Sequence, residues 1–279
     1  MRRLQGSFGW RLFHASGQFP RLLPSTPPPR SFLFTPPRPV DALAQHRRSP
    51  QLPFAARGYL SHSSSSPLAR LSPDAALYFL LGANVAGFVA WRTQPQSWCW
   101  RHLAVWPAQA LEPTRAYTLL TSAFSHKDGW HLASNCMGLY FFGGNIGRLL
   151  GGQRLVALYC AGGVASSLAH TLWMRYEWRE KHPSLARIWG YPTLPPAIGA
   201  SGAVNACIVL SAALFPYASI YIIPIPFPIP AFVVAALALM RDVYGATGSA
   251  HDGVAHAGHL GGAAMGAAAY VLLRLKARR

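Results

Sequence analysis

The sequence predicts an all-α membrane protein, a bundle of six transmembrane helices preceded by a disordered targeting leader. Three observations carry this. Of the 279 residues, 51% are hydrophobic and only 12% are charged, too few charges for an ordinary soluble domain. The apolar residues gather into runs separated by polar loops, as in a chain that crosses a bilayer repeatedly. The first 70 residues differ in kind, with ten arginines against one acid, Asp41. The chain therefore divides into 1–70, an organellar transit peptide and linker, and 71–279, a membrane domain.

The leader is rich in Arg, Ser and Pro and lacks the 7–15-residue apolar core of a secretory signal. Within "MRRLQGSFGWRLFHASGQF", Leu4, Phe8, Leu12 and Phe13 fall near one face of a basic amphipathic helix. "RGYLS" (57–61) resembles the arginine-directed cleavage sites of mitochondrial presequences. The expected destination is the mitochondrial inner membrane, and the weight of arginine favours it over a plastid membrane. Of the net charge of +17, the leader holds +9. The rest lies at membrane edges, so no nucleic-acid partner is expected. Cys99, Cys136, Cys160 and Cys207 show no CxxC and no metal spacing. No metal and no cofactor is expected.

The first span is "AALYFLLGANVAGFVAW" (75–91), followed by a long loop whose Trp98, Trp100 and Trp106 suit a membrane–water boundary. The second span runs from about Trp130 to Leu150 and the third from about Leu155 to Met174. A loop of mixed charge leads to the fourth, 201–216. "IYIIPIPFPIP" has too many prolines for a helix and reads as an extended, protein-covered re-entrant stretch. The fifth span covers about Ala231–Val243 and the sixth about Val254–Leu273. The fourth is shorter than the ~20 residues of a full span. If it begins at Ser201, its unpaired N–H groups lie below the membrane surface, in a recess that must hold water.

Polar groups inside spans are functional candidates by default. His131 and Asn135, four apart, share a face of the second span. In the sixth, His259 is followed by Gly262 and Gly266, a stripe that admits close approach of another helix. The fourth offers a small-residue edge of its own, Gly202 and Ala206. Pairing these two helices brings Ser201 and His259 together, and a histidine base beside a serine nucleophile is the minimal unit of covalent acyl transfer. Ser201, His131 and His259 each lie near the start of an even-numbered span, so all three fall at similar depth toward one membrane face.

"HLASN" in the second span, "GASG" opening the fourth and "AHAGHLGGAAMG" in the sixth resemble the signature of rhomboid intramembrane serine proteases. "RAYTLLTSAFSHKDGWHLASN" (115–135) resembles the family's approach to its second helix. The likeness covers about 75–275 and, with the leader, is closest in kind to the mitochondrial rhomboids. It implies Ser201 as nucleophile and His259 as general base and acid, a dyad without a carboxylate. No Asp or Glu is expected inside a span, with Asp242 and Asp252 flanking the loop before the sixth. The oxyanion would be held by the Ser201 backbone N–H, His131 and Asn135. Gly199 frees the backbone to turn into the fourth helix, and the Gly-rich 244–253 stretch would be a mobile cap. The resemblance implies single-pass membrane proteins as substrates, cut where their helix unwinds into the recess.

Plainer readings stand beside these. Ser201 is a suitable helix N-cap, and His131 and Asn135 suit interhelical hydrogen bonding. His256, three before His259, suggests a metal pair, but no HExxH accompanies it. It is taken as supporting or boundary-facing, and His126 as a loop residue. Asn205 stands one turn after Ser201, where well-known bacterial rhomboids carry an aromatic. It is expected either to accept from the His259 ring and orient it, or to bond a backbone carbonyl as glue. A catalytically inactive rhomboid-like binding and quality-control factor is the alternative function. A channel or transporter is disfavoured by the lack of deep charges or an inverted repeat. Arg148, Arg154, Arg274, Lys276, Arg278 and Arg279 share the leader's side, which places both termini in the matrix and the catalytic mouth toward the intermembrane space.

Overall fold

A computed structural model describes residues 71–191, 194–221, 226–249 and 254–278. The leader 1–70 and the end of the expected cap, 250–253, lie outside these. Helix α1 (Pro73–Thr93) starts on a Ser72 cap whose Oγ accepts from Ala75 N–H at 3.1 Å, with Pro73 in the first turn. A short α2 (Gln96–His102) begins the long loop, which ends in the single turn α3 (Thr118–Thr121). The loop is built on a tryptophan cluster, with Trp91–Trp100 ring centres 5.0 Å apart and Trp100–Trp106 5.8 Å. Arg175 ties its far end down by donating to the Pro107 and Ala108 carbonyls.

The second span starts on an Asp128 cap, whose carboxylate accepts from His131 N–H at 2.8 Å. It runs as α4 (Gly129–Gly138), a π-helical turn (Leu139–Gly143) and α5 (Gly144–Leu150) without a break. Gly151, at φ +94°, turns the chain directly into α6 (Gly152–Lys181), a conformation that side-chain-bearing residues rarely adopt. At 30 residues, α6 is about 45 Å long and reaches well beyond a bilayer's apolar core. A short α7 (Pro183–Trp189) follows.

Helix α8 (Ser201–Leu214) is the most enclosed. Gly202, Ala203, Val204, Ala206, Cys207, Leu210, Ser211, Ala212 and Leu214 are all buried, so it is covered on most sides. Its 14 residues span about 21 Å, short of a full crossing. Helix α9 (Ala231–Tyr244) continues into a π-helical turn, Gly245–Ser249, where the sequence suggests only a cap. Helix α10 (His256–Lys276) completes the bundle. Cβ atoms placed on Gly262 and Gly266 would run into the backbones of Gly202 and Ala206, so the small-residue edges of α8 and α10 do meet.

The proline-rich stretch differs from its expected form. Strand β1 (Ser219–Ile220) pairs antiparallel with β2 (Ile229–Pro230), with Ser219 opposite Pro230. The backbone is extended as expected, but the described part of the loop is exposed, not covered: Tyr221 and Phe227 both face outward. Prolines tolerate such a place because it lies at a strand edge.

The surface explains the setting. Tyr78, Phe79, Val85 and Val89 on α1, Leu172 on α6, Leu237 and Met240 on α9, and Val271 and Leu272 on α10 are large, apolar and exposed. An apolar belt of this extent suits lipid and not water. By length and composition, α1 and α6 are each long and apolar enough to cross a membrane. A buried polar pair ties α1 to α6: the Tyr159 hydroxyl bonds Asn84 and donates to the Ala123 carbonyl at 2.8 Å.

Candidate active site

The segment before α8 sets where the helix begins. Val105 and Ala197 exchange both backbone hydrogen bonds at 3.0 Å, and Gly199 N–H donates to the Ser122 carbonyl at 2.9 Å. The first bond of the helix turn runs from Val204 N–H to the Ala200 carbonyl at 2.9 Å. Ser201 is thus the first helical residue, and the N–H groups of the first turn point out of the helix mouth. The cap position belongs to Ala200, which overturns the N-cap reading of Ser201.

The Ser201 hydroxyl engages His259 instead, with Oγ 2.8 Å from Nε2. The two residues lie 58 positions apart, and the glycine contact between α8 and α10 carries one to the other.

Behind His259 stands Asp242. Its Oδ1 lies 2.9 Å from His259 Nδ1 and 2.9 Å from His256 Nδ1. This corrects two expectations and decides a third. Asp242 does not flank a loop: α9 runs on to Tyr244, so the carboxylate falls inside the helix and turns inward, 3% exposed. Of the two readings of His256, the supporting one fits and the boundary-facing one does not: it is buried against the same carboxylate. Asn205 bonds neither His259 nor a backbone carbonyl: its amide donates to Asp242 Oδ2 at 3.5 Å. Helices α8, α9 and α10 therefore meet at one carboxylate.

A carboxylate accepts, so each Nδ1 carries a proton and the neutral His259 keeps a lone pair on Nε2. The Ser201 hydroxyl then donates to that lone pair, the arrangement a general base needs. Donor atoms of Asp242, His256 and His259 lie within 4.8 Å of one another, a spacing that a metal ion could also use. An ion held by the Nδ1 atoms would sit on the far side of the His259 ring from Ser201.

The other wall of the site comes from α4 and the loop before it. The His131 ring packs on Gly199: a Cβ there would lie 2.6 Å from Cε1, and φ is +121°. Only glycine fits on both counts. Asn135 is buried, but its Nδ2 lies 3.1 Å from His126 Nε2, so the amide is turned onto that ring. The same nitrogen accepts from Ala200 N–H at 3.4 Å. His126 lies in a loop as expected, yet it is wholly buried and links Asn135 to the start of α8. Burial, with His131 nearby, pushes its pKa down to about 4. His126 belongs to the 115–135 motif, but only the fold turns it inward.

A serine at the mouth of an enclosed helix, a histidine from the last helix and an apolar outer surface define a class. The chain belongs to the rhomboid family: residues 113–276 match the model described as the Rhomboid domain. Among its relatives, RHOMBOID-like protein 12, mitochondrial, of Arabidopsis thaliana is 34% identical over 195 residues, 70% of this chain and 57% of that one. Rhomboid protein 1, mitochondrial, of Saccharomyces cerevisiae is 35% identical over 197 residues, 70% and 52% respectively. The Rhomboid protease AarA of Providencia stuartii is 31% identical over 172 residues, 56% and 57%. The match thus spans between half and three-fifths of each relative's length.

Proposed function

We propose that this chain is an intramembrane serine endopeptidase of the mitochondrial inner membrane, crossing it six times and cutting transmembrane segments of single-pass proteins. The observation that carries the reading is the 2.8 Å bond between Ser201 Oγ and His259 Nε2 at the start of α8. The Ser201 oxygen attacks the scissile carbonyl while His259 Nε2 takes its proton. The oxyanion forms at the helix mouth, beside the Ser201 N–H, with His131 and Asn135 at hand. His259 then returns the proton to the leaving amine, and water repeats the sequence on the acyl-enzyme.

The substrate class follows from the setting. A helix in lipid has its backbone bonds satisfied internally, so it must unwind locally before a peptide bond can reach Ser201. Placement in mitochondria is supported by the arginine-rich leader and by the two relatives named as mitochondrial. An inactive binding factor would have no use for an aligned serine and histidine, so the 2.8 Å pair favours the enzyme. A metal enzyme is disfavoured because an ion at the Nδ1 atoms would lie across the His259 ring from the Ser201 hydroxyl.

The test is cleavage of a model transmembrane substrate by the purified full chain in liposomes, with fluorophosphonate labelling alongside. Wild type is expected to be labelled at Ser201 and to cleave equally with and without EDTA. Ser201→Ala and His259→Ala should each lose cleavage while remaining membrane-inserted, and the double variant should be no worse than either. Substantial cleavage by Ser201→Ala would end this reading.

A further inference from the structure

We infer that Asp242 is a positioning residue for His259, making the site a three-part Ser201–His259–Asp242 relay whose carboxylate is itself held by His256 and Asn205. This rests on the serine-protease reading and deepens it. Asp242 is buried on α9, and Oδ1 accepts from His259 Nδ1 at 2.9 Å, on the ring edge opposite the 2.8 Å contact to Ser201. A buried carboxylate needs partners for both oxygens. His256 supplies a second donor to Oδ1 at 2.9 Å, and the Asn205 amide approaches Oδ2 at 3.5 Å. The carboxylate is therefore fixed from α8 and α10 at once and cannot swing away from His259.

Two consequences follow for the reaction. The neutral ring is held with its proton on Nδ1, which leaves Nε2 free to accept from Ser201 in every turnover. When Nε2 takes the serine proton, the imidazolium forms next to a fixed negative charge. The proton stays on His259 until it passes to the leaving amine, so Asp242 begins and ends each cycle ionised. Both effects act after substrate binding, so they belong to kcat and not to KM.

The experiment compares full-length Asp242→Asn, Asp242→Glu and Ser201→Ala with wild type in liposomes. It records kcat, KM, the rate of fluorophosphonate labelling and the unfolding midpoint. Asp242→Asn is expected to lose about a hundredfold or more in kcat and labelling rate, with KM changed less than about twofold. Asp242→Glu keeps a carboxylate and should exceed Asp242→Asn by about tenfold or more. Asn205→Ala and His256→Phe, which loosen the carboxylate without removing it, should each cost less than Asp242→Asn. Turnover of Asp242→Asn within about threefold of wild type overturns the inference. So do equal rates for the Asn and Glu variants, whatever their stabilities. A dead Ser201→Ala beside a normal Asp242→Asn overturns this inference alone, whereas an active Ser201→Ala overturns the protease reading beneath it.

Discussion

The two walls of the site are built differently. On the α8–α10 wall, Ser201 and His259 come from helices whose backbones touch through Gly202, Gly262, Ala206 and Gly266. Their hydrogen bond is short and already aligned. On the α4 wall, His131 and Asn135 sit one turn apart on a helix begun by the Asp128 cap. There Asn135 Nδ2 is paired with His126 Nε2. The nucleophile wall is rigid before substrate arrives. On the oxyanion wall, the Asn135 amide paired with His126 carries a second N–H. On the proposed function, the pair that needs one fixed distance lies where backbones meet, and Asn135 keeps that second N–H for the transition state.

Breaking the rigid wall should have the largest effect. A Cβ on Gly262 would lie 2.8 Å from Gly202 Cα and closer still to its carbonyl. Gly262→Val must push α10 off α8, and such overpacking costs about 1–3 kcal/mol or more. A misplacement of about 1 Å is enough to cost roughly a hundredfold in rate. Cleavage by Gly262→Val should fall by at least that factor, with a lowered unfolding midpoint. Gly82→Ala on α1 is the control, since its Cβ would meet nothing within 4 Å. It should leave activity unchanged and hold or raise the midpoint.

Asn135 sharpens the comparison. If its amide reaches the oxyanion, Asn135→Ala should lower kcat by about 10²–10³-fold with little change in KM. Fluorophosphonate labelling should slow as well, because the phosphonyl oxygen occupies the same place. A normal kcat with only a lowered unfolding midpoint would mean that Asn135 serves packing alone.

The same contrast explains what the sequence made legible. Ser201, His259, Gly202 and Gly262 declare themselves through spacing, because helix pairing by small residues leaves a periodic trace. The expected span starts lie within a few residues of the helix starts at Pro73, Gly129, Gly152, Ser201, Ala231 and His256. Asp242 was not. In "ALMRDVYGATG" the acid follows an arginine near the end of an apolar run, which reads as a helix edge. Its inward direction depends on the two histidines of α10 and Asn205 of α8 that meet it, and no local spacing reveals those partners. Asn205 pairs with Asp242 on α9 and not with the His259 ring, a partner that its spacing from Ser201 does not reveal. His126 shows the same limit: a loop residue becomes structural only when Asn135 and Ala200 close over it.

The smallest expected effect concerns His126, and it is one of stability. Its Nε2 accepts from Asn135 Nδ2 and from Ala200 N–H, which a protonated nitrogen could not do. The folded protein therefore holds the ring neutral, in keeping with a pKa near 4 against about 6.5 when unfolded. The unfolded chain binds more protons than the folded one between those values, so stability rises with pH across that window. It is fully present above about 6.5 and is lost progressively as pH falls toward 4. Stability and not activity is the gauge, because the His126 bonds hold structure and touch no atom of Ser201 or His259. The unfolding midpoint of Ser201→Ala in detergent, followed by tryptophan fluorescence, isolates the effect. It should drop as pH falls from about 6.5 to 4. Adding His126→Gln keeps an acceptor for Asn135 and Ala200 but removes the titration, so part of that slope should disappear. An unchanged slope would show that His126 is not the group whose protonation loosens the α4 wall.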